Sequence, residues 1–301
     1  MLASKISVAK SSGRSSKRLH IRPATSADLG QIQAWALREN WNPGCHDLQV
    51  YQQQHGLFVG TVDHQLVGSI AALRYADSFG FIGCYLVDTA YRGRGYGRSL
   101  WNHALQVLAG ATIGLEGAIA MEDTYEQSGF VRTFQHVRYR ISAIALAQLA
   151  ESPALTAGFR PVQALPFQEI NAFDAQHFPC DRRTFLQRWL TQPQQQGLAY
   201  LQHGQVLGYG LIRPATLGHR LGPLFAQTPD IARGLISHLG RFRSTSDCPI
   251  FMDVPQSNPA ALAMMEALQA QPCFSNCRMY RGTVPTLPMA NIYGNTSLET
   301  G

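Results

Sequence analysis

The sequence predicts an α/β (α+β) protein of two tandem domains, each a mixed, largely antiparallel central sheet flanked by helices. Three observations carry this reading. The strand-forming run Phe79–Val87 is followed at once by a turn, three glycines at alternate positions (Gly93, Gly95, Gly97) and a helical pattern through Leu100, Trp101, Ala104, Leu105 and Leu108. The strands before it are joined by connections too short for a crossover helix, which makes them an antiparallel meander. The order of segments after Phe159-Arg160-Pro161 then repeats the order after His20-Ile21-Arg22-Pro23.

With 301 residues, 45% of them hydrophobic, the chain is long enough for two domains of roughly 100–150 residues each. The net charge of +6 is local. Residues 1–22 carry Lys5, Lys10, Arg14, Lys17, Arg18 and Arg22 and no acid, so the other residues hold 19 basic groups (25 − 6) against 19 acidic ones. A basic stripe on a folded domain is therefore not expected, and nucleic acid is not an expected partner. Residues 1–17 are Ser- and Lys-rich and read as a flexible basic tail, with a targeting segment or an upstream start as the alternatives. No run of apolar residues is long enough to span a membrane, which points to the cytoplasm, although the basic segment leaves organelle targeting open. Six cysteines without a close CxxC pair read as reduced, mostly buried thiols, and no metal site is expected.

In the first half, Leu19–Arg22 is a short strand stopped by Pro23. Thr25 begins a helix through Leu29, Ile32, Trp35 and Leu37, and a second, more polar helix lies near Asp47–His55. Leu57–Val62 and Gln65–Tyr75 form a hairpin, and Phe79–Val87 completes the meander. After the glycine-rich turn and its helix, Thr112–Ala120 is strand-like, Met121–Ser128 a short helix ended by Gly129, and Phe130–Arg140 a closing strand.

Arg92-Gly93-Arg94-Gly95-Tyr96-Gly97 has the chemistry of a pyrophosphate cradle. Glycines let backbone N–H groups converge on an anion, and the new helix adds its positive end. A dinucleotide fingerprint would place its third glycine one position later and follow the first strand of a βαβ unit. A Walker A loop would need Gly-Lys-Ser/Thr, which is missing.

Val87, the loop Arg92-Gly93-Arg94-Gly95-Tyr96-Gly97 and, some 30 residues on, Tyr125-Glu126-Gln127-Ser128-Gly129-Phe130 resemble the two signatures of the GNAT superfamily of acetyl-CoA-dependent N-acetyltransferases. Thr89 stands where proline is usual. The resemblance covers 18–142 and implies acetyl-CoA as acyl donor, with a primary amine attacking the thioester directly in a ternary complex. It implies that the backbone at Tyr85, Leu86 and Val87 parts from its parallel neighbour, holds the pantetheine and polarises the acetyl carbonyl. Arg92, Gly93, Arg94, Gly95, Tyr96, Gly97 and Arg98 would surround the phosphates, a solvated helix start being the alternative for Arg94 and Arg98. Tyr125 would be the general acid that protonates the coenzyme A thiolate, or else a packing residue. The base stays open. Glu116 is a weak candidate, and Glu122, Asp88 and His136 are others.

In the second half, residues 143–155 read as a linker and 156–283 as a repeat of the first fold. Helices are expected around Pro166–Phe173, Arg182–Leu190, Pro229–Arg241 and Asn258–Leu268, with strands at Gly197–Gln202, Val206–Arg213, His219–Phe225, Pro249–Val254 and Phe274–Gly282. The glycine loop is gone, Asp230 sits near the helix start, and Met265 stands at the general-acid position, so this half reads as degenerate. Gly208–Pro214, Leu221–Ala226, Asp253-Val254-Pro255 and Met279–Gly282 resemble the C-terminal domain of YitH/HolE-type acetyltransferases. A small-molecule or peptide amine in an inter-domain cleft is the expected partner, with Asp181, Arg213, His219, Asp253 and Asn258 as candidate pocket residues. Residues 284–301, rich in Thr, Pro, Asn and Gly, read as a loose C-terminal tail.

Overall fold

A computed structural model describes residues 18–147, 149, 158–242 and 247–301. The basic segment 1–17 and most of the expected linker lie outside the described residues.

The first half begins with β1 (His20–Pro23), α1 (Leu29–Arg38) and α2 (Asp47–Gln53). The meander follows as β2 (Leu57–Val62), β3 (Gln65–Ala76) and β4 (Phe79–Val87), then α3 (Tyr96–Val107), β5 (Thr112–Ala118), α4 (Glu122–Gln127) and β6 (Val131–Ile141). After α5 (Ala143–Ala147) the order recurs: β7 (Phe159–Pro161), α6 (Phe167–Asp174), α7 (Arg183–Trp189), β8 (Gln196–Gln202), β9 (Gln205–Pro214), β10 (His219–Ala226), α8 (Pro229–Leu239), β11 (Ile250–Pro255), α9 (Pro259–Ala267) and β12 (Gln271–Arg281). A last short strand, β13, spans Ile292–Gly294.

The two halves do not own separate sheets. Their strands join in one sheet of order β1-β2-β3-β4-β5-β12-β6-β11-β10-β9-β8-β7. The sheet runs across the boundary expected at residue 142: β6 of the first half pairs with β11, while β12 of the second half lies beside β5. Charge explains the exchange. Arg138 of β6 stands directly opposite Asp253 of β11, and Arg278 of β12 directly opposite Glu116 of β5. These opposite-charge cross-strand pairs are buried, so a wrong pairing would leave unpaired charges in the core.

On one face, α1 and α2 pack against α6 and α7 through a shared apolar core, where Tyr51 stacks on Trp189 with ring centroids 6.4 Å apart. On the other face, α3 covers the first half and α8 with α9 the second.

The segment 284–301 is not loose. Beyond Gly282 it runs back into the molecule, and residues 292–301 are all buried. β13 pairs antiparallel with β10, Leu224 facing Gly294 and Phe225 facing Ile292. Asn295 N–H donates to Asp253 O at 3.0 Å, Tyr75 Oη to Thr300 O at 2.8 Å and Arg213 Nη2 to Thr296 O at 3.3 Å. Backbone groups carry these contacts, which is why a polar composition is compatible with burial.

Candidate active site

β4 and β5 run parallel from Phe79↔Thr112 to Ile82↔Leu115 and then part. Beyond that point Gly83–Val87 has no strand opposite on this edge. Cys84 adopts φ +45°, and the register against β3 slips between Ser69↔Leu86 and Ala71↔Gly83, an extra residue that bends β4 away from β5. Ser69 Oγ fixes the bulge by donating to Cys84 O at 2.9 Å.

At the end of β4 the chain enters the glycine loop, whose three glycines do different work. Gly93 (φ +74°) and Gly95 (φ +83°) have open space where a side chain would sit, so their conformation is what demands glycine. At Gly97 a Cβ would lie 2.7 Å from Tyr85 Oη and 3.2 Å from Val87 Cγ2, so there glycine lets α3 approach β4. Gly95 is the N-cap of α3 and has no side chain to cap the first turn of the helix, the end of a helix that attracts an anion.

The side chains around the loop mostly brace it. Arg92 donates from Nε to Val87 O at 2.9 Å and pairs with Glu39. Arg94 donates to Ala90 O at 2.9 Å and lies over the Tyr91 ring. Arg98 is exposed, while Tyr96 and Leu86 are buried in the core, so they can meet a ligand only through main chain. Asp88 anchors the turn by accepting from Trp35 Nε1 at 2.7 Å and Ala90 N at 3.0 Å.

Where the strands part, a cleft of roughly 530 Å³, its open mouth included, lies between Gly83–Tyr85 on one side and Leu115–Glu116 on the other. Tyr125 enters it from α4 and packs against Trp101, ring centroids 5.3 Å apart. Burial, reinforced by the neighbouring Tyr85, pushes its phenol up to about 12, so the group stays protonated and can donate. Burial likewise raises Tyr85.

Glu116 also lines the cleft and is fully buried. Burial pushes its carboxyl up, but Arg278 at 2.5 Å and His136 at 2.9 Å outweigh that and hold it below its ordinary range. A carboxylate held down in this way is a poor proton acceptor, and its Oε2 has no hydrogen-bond partner among the described residues. Of the other first-half carboxylates, Glu122 pairs with Arg132 outside the cleft.

The second-half candidates are structural. Asp253 is locked between Arg138 and Arg220. Arg213 pairs with Asp47 at 2.7 Å, Asn258 caps α9 by accepting from Ala261 N at 3.1 Å, and exposed Asp181 binds Arg183 at 3.2 Å. Neither these nor His219 lines the cleft. The second half instead contributes Phe274, Asn276, Leu298 and Glu299, so residues of both halves form the cleft. Leu298 and Glu299 went unnoticed in the sequence because they sit in a polar segment. The apolar spacing Ile292, Tyr293, Leu298 was its one sign of burial. Of the six cysteines only Cys84 and Cys277 are buried, fewer than expected. No helix among the described residues is long and apolar enough to cross a membrane.

A parallel strand pair that parts over an uncapped, glycine-led helix start defines the acyl-CoA transferase class. The family comparison agrees. Residues 26–130 match the acetyltransferase (GNAT) family and residues 170–294 an acetyltransferase (GNAT) domain. The chain belongs to the GNAT superfamily and carries its fold in tandem. It is 26% identical over 282 residues to holothin acyltransferase of Pseudoalteromonas sp. (strain SANK 73390), covering 93% of this chain and 94% of that one. It is 25% identical to the uncharacterized N-acetyltransferase YitH of Bacillus subtilis (strain 168), over 59% of this chain and 61% of that one. Among solved structures, one assigned to the acetyltransferases from Pyrococcus horikoshii superposes with a TM-score of 0.76 at 21% identity, covering 94% of this chain and 96% of that one. A tandem GNAT protein from the clavulanic acid biosynthesis pathway superposes at 0.59 with 16% identity, over 89% of this chain and all of that one.

Proposed function

We propose that the protein is an N-acetyltransferase that moves the acetyl group of acetyl-CoA to a primary amine by direct attack in a ternary complex. The observation that carries this reading is the opening between β4 and β5, with the glycine loop at its mouth and Tyr125 inside it. In this scheme the N–H groups of Arg92–Gly97 hold the pyrophosphate, with Arg98 as the exposed cation nearby. The free edge of Tyr85–Val87 takes the pantetheine as an added strand and aims an N–H at the acetyl oxygen. Tyr125 gives its proton to the departing sulfur, whose thiolate would otherwise leave as a charge in a half-buried cleft. Holothin acyltransferase is named for acyl rather than acetyl transfer, and a donor with an acyl chain longer than acetyl is the second reading. One experiment addresses both. Free coenzyme A release is followed with acetyl-, butyryl- and hexanoyl-CoA against a panel of amino acids, polyamines, aminoglycosides, amino sugars and peptides. Amine-dependent release with acetyl-CoA preferred supports the proposal, and no amine-dependent release with any donor overturns it.

A further inference from the structure

The cleft has a one-sided chemistry. Its lining includes two carboxylates, Glu116 and Glu299, and, among the described residues, no lysine, arginine or histidine. Five aromatic rings face it, from Trp41, Tyr85, Trp101, Tyr125 and Phe274. Aromatic faces and carboxylates together attract an ammonium and repel an anion. The free, fully buried Oε2 of Glu116 is a hydrogen-bond acceptor still to be satisfied.

Glu299 reaches the cleft on the buried segment that follows β13. Its backbone presses on β4, since a Cβ on Gly83 would lie 2.3 Å from Glu299 O. Its N–H donates to Ser297 Oγ at 3.2 Å, while its carboxylate has no hydrogen-bond or ion-pair partner among the described residues. We propose that the segment Asn295–Gly301 builds the acceptor side of the cleft, where Glu299 receives the ammonium of a cationic acceptor and takes the proton it must lose. This rests on the N-acyl transfer reading above.

The two carboxylates divide the work because their surroundings differ. Burial raises Glu299, and Asp47 and Asp253 raise it further, against the opposing pull of Arg138 and Arg220. The other titratable groups facing it are Tyr51, Cys84 and Arg213 from α2, β4 and β9, and Glu116 and Tyr125 line the same cleft. Glu299 therefore takes up a proton at a higher pH than an ordinary glutamate, as a base should, and Glu116 stays anionic as the anchor. The proton count closes. An alkylammonium must lose two protons to become an amide. One passes to Glu299 and on to solvent, freeing the nitrogen lone pair that attacks the thioester carbon. As the C–N bond forms and the C–S bond breaks, Tyr125 protonates the sulfur, and the second nitrogen proton restores the phenol.

Two substrate pairs that differ only in a carboxylate test this on the full chain: phenethylamine against phenylalanine, and putrescine against ornithine. The amines should exceed their α-carboxylates at least tenfold in kcat/KM. Glu299→Gln should bind acetyl-CoA as the wild type does, lose at least about hundredfold in kcat/KM, and lose the acidic limb of the wild-type pH profile. Glu299→Asp should keep that limb and recover part of the rate, which a purely structural role would not give. Equal use of amine and amino acid, or a Glu299→Gln protein with the wild-type rate and pH profile, overturns the inference while leaving N-acyl transfer standing. A wild type that binds acetyl-CoA but acylates no amine overturns both.

Discussion

Gly83→Ala puts the buried C-terminal segment to a direct test. The new methyl would sit 2.3 Å from Glu299 O, 2.6 Å from its Cα and 2.8 Å from its carbonyl carbon. All three are backbone atoms, so no side-chain rotation relieves the clash. Restoring ordinary contact near 3.5 Å requires the segment or β4 to retreat by about 1 Å. Inserting a methyl into a packed site of this kind costs about 1–3 kcal/mol. The functional cost should be larger, because a 1 Å displacement of a reacting group lowers the rate by about a hundredfold. The glycines of the loop proposed to hold the phosphates begin ten residues beyond Gly83, so donor affinity should fall less than the rate. The measurements are urea unfolding, calorimetric titration with acetyl-CoA and amine-dependent coenzyme A release. A variant with wild-type stability and turnover would show that Glu299 does not press on β4, and the argument for its place in the cleft would fail.

Four further outcomes are expected. Tyr125→Phe should lower kcat at saturating acetyl-CoA at least about tenfold with donor affinity unchanged, and an unchanged rate removes the phenol from the acid role. Gly95→Val forces a branched side chain into φ +83° and should abolish acetyl-CoA binding in a calorimetric titration while leaving the far-UV circular dichroism intact. Asp253→Asn leaves Arg138 and Arg220 buried around a neutral amide and should cost about 3–5 kcal/mol in urea unfolding. The hydrogen bond from Arg22, outweighing burial, holds the Asp28 carboxyl down to about 2, so its stabilisation is present above pH 4 and lost as the pH falls towards 2. Solvent screening of Arg22 limits that contribution to at most about 2 kcal/mol, read as the difference between wild type and Asp28→Asn at pH 7 and pH 2.

What was legible in the sequence was local. Phe79–Val87 is a strand with those bounds, because an apolar run closed by a turn and glycines leaves little choice. The glycine turn was readable for the same reason, although Gly93, Gly95 and Gly97 look alike in the sequence and only their φ angles and neighbours separate a conformational need from a packing need. Long-range pairing was not legible. Phe130–Arg140 reads as a strand, but periodicity carries no information about whether β5 or β11 lies beside it. The partner is chosen by Arg138 opposite Asp253 and Arg278 opposite Glu116, residues more than a hundred positions apart. The segment 292–301 misled because its burial rests on backbone groups and small polar side chains, which composition counts as solvent-loving.

The internal repeat makes the second half a control for the first. There too the central strands run parallel and then part, β10 pairing with β11 only from His219↔Ile250 to Leu221↔Met252. The opening beyond is filled by the chain itself, since β13 runs antiparallel to β10 along the edge that in the first half stays free. The helix start is closed as well. Thr228 accepts from Ile231 N at 3.3 Å, and Pro229 has no N–H to offer, whereas Gly95 brings no side-chain cap to α3. Asp253 holds the place of Glu116, but Arg138 and Arg220 occupy both of its oxygens, whereas Glu116 keeps one free. One fold thus presents the same device twice, once open and once sealed. The segment that seals the second site continues through Leu298 and Glu299 into the first. One segment therefore both fills the second opening and lines the first, and any substitution that frees β13 from β10 should disturb the cleft between β4 and β5.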